Sequence, residues 1–186
     1  MRVISGSLKG KSIKFLKNLS TRPLKDAVKE NIFNILKHSN LINVKIEEAN
    51  ILDLYSGFGS FGIECISRGA KKVTFIEQDK DAASILKNNL TQLSIINKAK
   101  ILNDKIEKIL QNSGDEKFNI FFFDPPFENN DFIQNLDLIK KNKMFEVNHI
   151  VIIHRETKAK DNLDDYINTL TLKQYGRSKI IFGLFN

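Results

Sequence analysis

Cysteine occurs once in the chain, as Cys65, which excludes an internal disulfide and any cystine-stapled framework. The three histidines, His38, His149 and His154, show no ligand spacing with that cysteine, so no metal site is expected. Proline appears three times and tryptophan never, and no tract is repetitive or of low complexity. The apolar runs are far too short to span a bilayer. The opening MRVISGSLKGK has no apolar stretch of the secretory type. A cytoplasmic protein without a membrane partner is expected, with 186 residues giving one core and one domain over 1–186.

Negative charge is missing from one place in particular. Residues 1–25 hold Arg2, Lys9, Lys11, Lys14, Lys17, Arg22 and Lys25 and no acid, so the whole net charge of +7 lies there, while the rest carries 22 groups of each sign. A local excess of this kind is the electrostatic footprint of a polyanion partner, because lysine and arginine beside phosphates release condensed counterions. Nucleic acid is the partner it implies; a solvated basic arm is the other reading.

Two short alternating runs, RVIS and KSIKF, flank Gly6 and Gly10 and predict a small hairpin in the basic stretch 1–22. Leu24, Val28, Ile32, Ile35 and Leu36 recur at helical spacing through about His38. From residue 49 short apolar runs alternate with amphipathic stretches. The strand ANILDLY is followed by a helix from about Ser60, the strand KVTFIE by a helix from about Asp81 to Leu93, and the strand AKIL by a helix from about Lys105 to Gln111. The strand FNIFFFD then ends at Asp124. That alternation predicts parallel strands, right-handed crossovers and helices on both faces over 23–186. A helix near Phe132 to Lys141 and a strand at Val147–Ile153 follow. INTLTLKQY and SKIIFGLF, split by Gly176 and Arg177, read as an antiparallel hairpin. The expected fold is α/β and Rossmann-like: seven strands, mostly parallel, with an antiparallel C-terminal strand.

The chemistry-bearing motifs fall at strand ends. In D-L-Y-S-G-F-G-S-F-G, Asp53 closes a strand and Gly57, Gly59 and Gly62 have the G-x-G-x-x-G spacing that permits a tight turn and close approach of a ligand to a helix N-terminus. Dinucleotide oxidoreductases and methyltransferases share it. Glu77, which ends the next strand 20 residues after Gly57, supplies the carboxylate expected for a ribose diol, with Asp79 as an alternative. Asp104 is placed either to accept from an adenine amine or to cap the following helix.

The most specific segment is F-F-F-D-P-P-F, with Asp124, Pro125, Pro126 and Phe127 after the fourth strand. Two prolines fix φ and remove N–H donors, so carbonyls near Asp124 and Pro125 can be aimed at a substrate amine while Phe127 stacks on a base. A dehydrogenase has no obvious need for this arrangement, which disfavours a nicotinamide-dependent oxidoreductase, a reading that rests only on the glycine loop. An enzyme that methylates an exocyclic NH2 does, because that lone pair is delocalised and needs acceptors to orient both N–H bonds.

With R-V-I-S-G-S-L-K-G, T-R-P-L-K-D-A-V-K-E-N-I-F-N-I-L, D-L-Y-S-G-F-G-S-F-G and D-P-P-F in this order, the chain resembles over its whole length the RsmD-type bacterial 16S rRNA guanine-N2 methyltransferases. These lie within the class I enzymes that use S-adenosylmethionine. D-P-P-F alone is also similar to adenine and cytosine amino-methyltransferases. The resemblance implies that Asp53, Gly57, Gly59 and Gly62 line the methionine and ribose end of S-adenosylmethionine, that Glu77 binds the ribose hydroxyls and that Asp104 meets the adenine. It further implies that Asp124, Pro125 and Phe127 hold the target guanine of 16S rRNA in an assembling or assembled small ribosomal subunit. Leu24 and Lys29 stand where the family commonly has Thr and Arg, and Phe58 and Phe61 replace small residues, which narrows the expected cofactor mouth. Phosphate contacts are expected from Arg2, Lys9, Lys11, Lys14 and Arg22, with Arg177 and Lys179 from the C-terminal hairpin, in a protein that acts as a monomer. The rival readings are a different amino-methyltransferase, acting on adenine or on protein glutamine, and a noncatalytic RNA-binding assembly factor.

Overall fold

A computed structural model describes residues 1–16, 24–126 and 131–186. In α1 (Asp26–His38) the residues Val28, Ile32, Phe33 and Leu36 form one buried stripe. Asp26 lies in its first turn and Lys37 and His38 in its last, the signs that the helix dipole favours at each end. Four units of strand and helix and a fifth strand follow: β1 (Asn50–Leu54), α2 (Ser60–Ser67), β2 (Lys72–Ile76), α3 (Lys80–Gln92), β3 (Ala99–Leu102), α4 (Ile106–Gln111), β4 (Phe118–Phe123), α5 (Phe132–Lys141) and β5 (Phe145–Glu156). A hairpin of β6 (Ile167–Tyr175) and β7 (Ser178–Phe185) ends the chain. Among the described residues no helix is long and apolar enough to cross a membrane.

The seven strands form one sheet in the order β3-β2-β1-β4-β5-β7-β6. Strands β1 to β5 run parallel, and β7 is antiparallel to both of its neighbours. The chain lays β2 and β3 to one side of β1 and then returns to place β4 on the other. The order therefore reverses between β1 and β4, where a ligand crevice opens at the carboxyl ends of the strands in such sheets.

Successive residues of each strand face opposite layers. Ile51, Val73, Phe75, Ile120, Phe122, Ile150 and Ile152 pack toward α1, α2 and α3, whereas Leu52, Leu54, Phe121, Phe123, Val151 and Ile153 pack toward α4 and α5. Burial of both faces explains why the central strands read as unbroken apolar runs. Under the crevice Phe61 is stacked between Phe33 and Phe122, with ring centroids 5.3 and 4.0 Å away.

Strand β5 is longer than the expected Val147–Ile153 because its last residues, Arg155 and Glu156, find partners in Lys179 and Ser178 at the start of β7. The N-terminal hairpin is reduced to a single antiparallel bridge, Arg2 with Ser12, supported by Val3 N–H to Lys11 O and Ile13 N–H to Met1 O. Several of the intervening amides go elsewhere: Ile4 and Ser5 N–H donate to the buried Glu64 carboxylate at 2.7 and 2.9 Å, and Leu8 N–H donates to Ser67 Oγ. Lys14 is tied in the same way, since Asn89 accepts from its N–H and donates to its carbonyl. The basic segment thus lies against α2 and α3 through the Glu64, Ser67 and Asn89 side chains and a Ser7 N–H bond to the Ser67 carbonyl, rather than through a second strand.

Candidate active site

Two turns meet at the switch point. The first follows β1. Gly59, at φ 84°, precedes α2 in a left-handed conformation, and a Cβ there would lie 2.4 Å from Leu86 of α3. Gly62 serves packing: a Cβ would come within 2.3 Å of the Phe75 ring, so α2 rests directly on β2. Asp53 and Glu77 hold this turn by accepting from its amides. Asp53 Oδ2 takes Gly62 N–H at 2.9 Å, and Glu77 Oε2 takes Gly57 N–H at 2.7 Å while its Oε1 takes Asp79 N–H at 2.8 Å. Burial pushes the Asp53 carboxyl well above the usual carboxylate range, and the neighbouring Asp124 and Glu77 charges add to the effect that the Gly62 N–H opposes. Glu77 is raised as well, chiefly by burial, against the amides of Asp79 and Gly57.

Tyr55, between Asp53 and the glycines, also has a positive φ of 60° and accepts at its hydroxyl from Asn135 Nδ2, 2.8 Å away on α5. A bulky side chain in that region is strained and needs such an anchor.

The second turn, Asp124-Pro125-Pro126, follows β4 and is held from β5. Nδ1 of His154 lies 2.7 Å from Asp124 Oδ1. Arg155 donates to the Pro126 carbonyl at 3.2 Å and pairs with both oxygens of Asp161 at 3.1 and 3.0 Å, with its guanidinium over the Phe132 ring. The Arg155 and Asp161 side chains are buried, at 1% and 2% exposure, whereas Asp124 keeps 22% and can meet a ligand. His154, Arg155 and Asp161 were not legible as site residues, because strand, loop and turn come together only through the β4–β5 pairing. Phe127 lies outside the described residues.

A cleft joins the turns, lined among others by Asp53, Tyr55, Gly57, Phe58 and Asp124, with Leu24 and Met1 at one side. Leu24 is thus an apolar wall. Of the two phenylalanines expected to narrow this mouth, Phe61 also belongs to the stack beneath, and the Phe58 carbonyl accepts from Asn89. Lys29 has no exposed surface; its Nζ donates to Arg2 O at 2.9 Å and Ser60 Oγ at 3.2 Å, beside Asp26 and Glu64. Burial lowers its pKa, against the pull of Glu64.

The outlying residues divide. Asp79 accepts from Ala82 N–H and caps α3, so it is engaged as a helix cap. The Asp104 carboxylate accepts from Lys105 N–H at the start of α4 and pairs with Lys108, which lowers its pKa. Neighbouring Asn103 donates to the Glu77 carbonyl, which brings the end of β3 to the same rim. Arg2, Lys9, Lys11 and Lys14 are exposed, and Arg22 lies outside the described residues. Arg177 is exposed on the β6–β7 turn, which stands at the carboxyl end of β5 and therefore on the cleft's edge of the sheet. Lys179, expected beside it as a phosphate contact, is instead buried and donates to the Ala159 carbonyl near Asp161, because its strand position points it into the loop that follows β5.

A sheet of this order, with a glycine turn and two acids at one rim and a D-P-P turn at the facing strand end, defines a Rossmann-like fold of the methyltransferase class. The family described as conserved hypothetical protein 95 matches residues 1–183. A candidate rRNA methyltransferase of Bacillus subtilis is 34% identical over 173 residues, 91% of each chain. The ribosomal RNA small subunit methyltransferase D of Haemophilus influenzae is 34% identical over 158 residues, 84% of this chain and 79% of its own. The solved structure of a candidate methyltransferase from Escherichia coli shares the fold, with a TM-score of 0.85 at 24% identity over 100% of this chain and 98% of the other. The chain belongs to this family, the RsmD-type methyltransferases.

Proposed function

We propose that the chain uses S-adenosylmethionine to methylate the exocyclic N2 amine of a guanine in 16S rRNA. The observation that carries this reading is that the glycine turn and the Asp124 turn open into one cleft at the switch point. The buried Asp53 and Glu77 carboxylates, both raised in pKa, suit a ligand that brings positive charge to the glycine turn. S-adenosylmethionine fits that requirement and, when bound, supplies a methyl group on a cationic sulfur. Gly57, Gly59, Gly62 and Asp53 would form its bed, Glu77 would take the ribose hydroxyls and Asp104 would stand at the adenine end.

The remaining work falls to the second turn. The Asp124 carboxylate and the carbonyl at Pro125 accept the N–H bonds of the target amine, which fixes its plane, and Pro126 keeps the turn rigid. Phe127 stacks on the base after it leaves its helix. Asp124 takes the surplus proton of the amine. Arg2, Lys9, Lys11, Lys14, Arg22 and Arg177 contact phosphates around the cleft. The substrate is a small ribosomal subunit, assembling or assembled, met by a monomer in the cytoplasm.

Methyl transfer from radiolabelled S-adenosylmethionine into subunits that lack the modification, followed by nucleoside identification, tests this reading. Label in N2-methylguanosine is expected. Label in adenine, DNA or protein glutamine would replace the substrate, and binding of cofactor without transfer to any of them would leave an assembly factor.

A further inference from the structure

The carboxylate of Asp124 can serve an amine only if one oxygen faces the cleft in a fixed orientation, and nothing in Asp-Pro-Pro itself fixes a χ angle. The constraint comes from the end of β5. Even-numbered residues of that strand face the layer of α1 to α3 and odd-numbered ones face α4 and α5, as Ile152 and Ile153 do. His154 therefore reaches Asp124 from one side of the sheet and Arg155 reaches Pro126 from the other. Two consecutive residues grip the turn from both faces.

We propose that His154 is a positioning residue for the amine acceptor: its Nδ1–H holds Asp124 Oδ1, so that Oδ2 is the oxygen turned to the substrate. A carboxylate oxygen only accepts, so the shared proton belongs to the ring and the tautomer protonated at Nδ1 is selected. At 2.7 Å the bond is short for a nitrogen donor, in the range of charge-assisted pairs. Both side chains are largely withdrawn from water, at 10% and 22% exposure, which limits the competition from solvent. Arg155 has a different task. Its bond to the Pro126 carbonyl places the backbone of the turn, and its pairing with Asp161 fixes the guanidinium.

This inference rests on the proposed methyl transfer for its kinetic arm only. In that arm His154→Ala and His154→Asn are compared with the natural protein. Asparagine presents an N–H donor near the position of Nδ1 without the rest of the ring. The alanine variant is expected to lower kcat about 10- to 100-fold, the effect of losing an oriented acceptor, while KM for the RNA, cofactor affinity and melting temperature stay close to wild type. The asparagine variant is expected to recover most of kcat. A kcat within twofold of wild type in the alanine variant, or equal losses in both variants with folding intact, would overturn the assignment. The second arm needs no substrate. In ring-nitrogen NMR spectra of the full chain, the His154 signals, identified by their loss in His154→Asn, should report protonation at Nδ1. That pattern should relax toward the Nε2 tautomer in Asp124→Ala. A ring protonated at Nε2 and not at Nδ1, or a spectrum indifferent to Asp124→Ala, would refute the proposal even if no RNA substrate were ever methylated.

Discussion

The two turns at the rim of the sheet are built on opposite chemistry. After β1 the chain presents amides, and acidic side chains hold them: Asp53 takes Gly62 N–H and Glu77 takes Gly57 N–H. After β4 the chain presents acceptors, a carboxylate and proline carbonyls, and nitrogen donors hold them: His154 takes Asp124 and Arg155 takes Pro126. Glycine gives the first turn a conformation that other residues rarely adopt, and proline denies the second all but one value of φ. The first turn therefore carries buried carboxylates beside its amides, which suits the hydroxyls and positive charge of the proposed cofactor, and the second carries acceptors, which suits the proposed amine. A transfer reaction needs both, facing each other.

The comparison is broken most severely by removing the acceptor. Asp124→Ala is expected to reduce methyl transfer by about 10²- to 10³-fold with cofactor binding unchanged, the scale for a positioned proton acceptor; steady-state kinetics beside calorimetric titration of the cofactor would show it. Next comes the support of the second turn. Arg155→Met strips Asp161 of its bidentate partner, leaving among the described residues Lys179 at 3.9 Å, and loss of one member of a buried pair costs about 3 kcal/mol or more. Thermal melts should show the drop, and the double variant Arg155→Met, Asp161→Leu should regain much of it.

Glu77→Ala frees the amides of Gly57 and Asp79 and removes a carboxylate from the cofactor rim. Cofactor affinity should fall about 10- to 30-fold, the worth of one or two charge-assisted hydrogen bonds, while RNA affinity stays the same. A smaller effect, of opposite sign, belongs to Asp53. Its carboxyl titrates higher in the folded protein than in the unfolded chain. The folded state then binds the extra proton between those two values, and stability falls as pH rises through that window. Asp53→Asn keeps an oxygen for Gly62 N–H and abolishes the buried charge. Without ligand it should melt a few degrees above the natural chain near neutral pH, with the gap closing on acidification toward the ordinary carboxylate value of about 4, and it should bind cofactor more weakly. Neutralising Lys9, Lys11 and Lys14 leaves both turns intact and is expected only to flatten the salt dependence of RNA binding, by about one in slope for each lysine.

The same contrast explains what could be read from the sequence. The first turn is local: Asp53, the three glycines and Glu77 fall in one strand-turn-helix-strand unit, and their spacing alone brings them together. Alternation of short apolar runs with amphipathic ones likewise gave the strands and helices to within a few residues, because burial on both sheet faces leaves an unmistakable pattern. The second turn announces its own residues through two prolines but not its supports. His154 and Arg155 lie 30 and 29 residues downstream of the groups they hold, and no spacing rule links the ends of neighbouring parallel strands. Lys179 was misread for a related reason, since a lysine in a strand reads the same whether it points to solvent or to a buried aspartate. The N-terminal hairpin is less regular than its alternating runs predict, because Glu64 and Ser67 compete for its amides from a helix 60 residues away.

That competition has a consequence for how the molecule opens. Glu64 engages the amides of Ile4 and Ser5, and Asn89 engages Lys14 while also bonding the Phe58 carbonyl in the glycine turn. A segment with a single bridge would ordinarily exchange its amide hydrogens through local fraying. Here exposure of the Ile4 or Lys14 amide requires breaking its bond to a side chain seated on α2 or α3, so slower exchange than in a free terminal strip is expected. A ligand that binds only the closed form slows that opening by mass action. Through Asn89 the basic strip and the glycine turn share one support, so occupancy of the turn is expected to show as protection along the strip proposed to meet the polyanion.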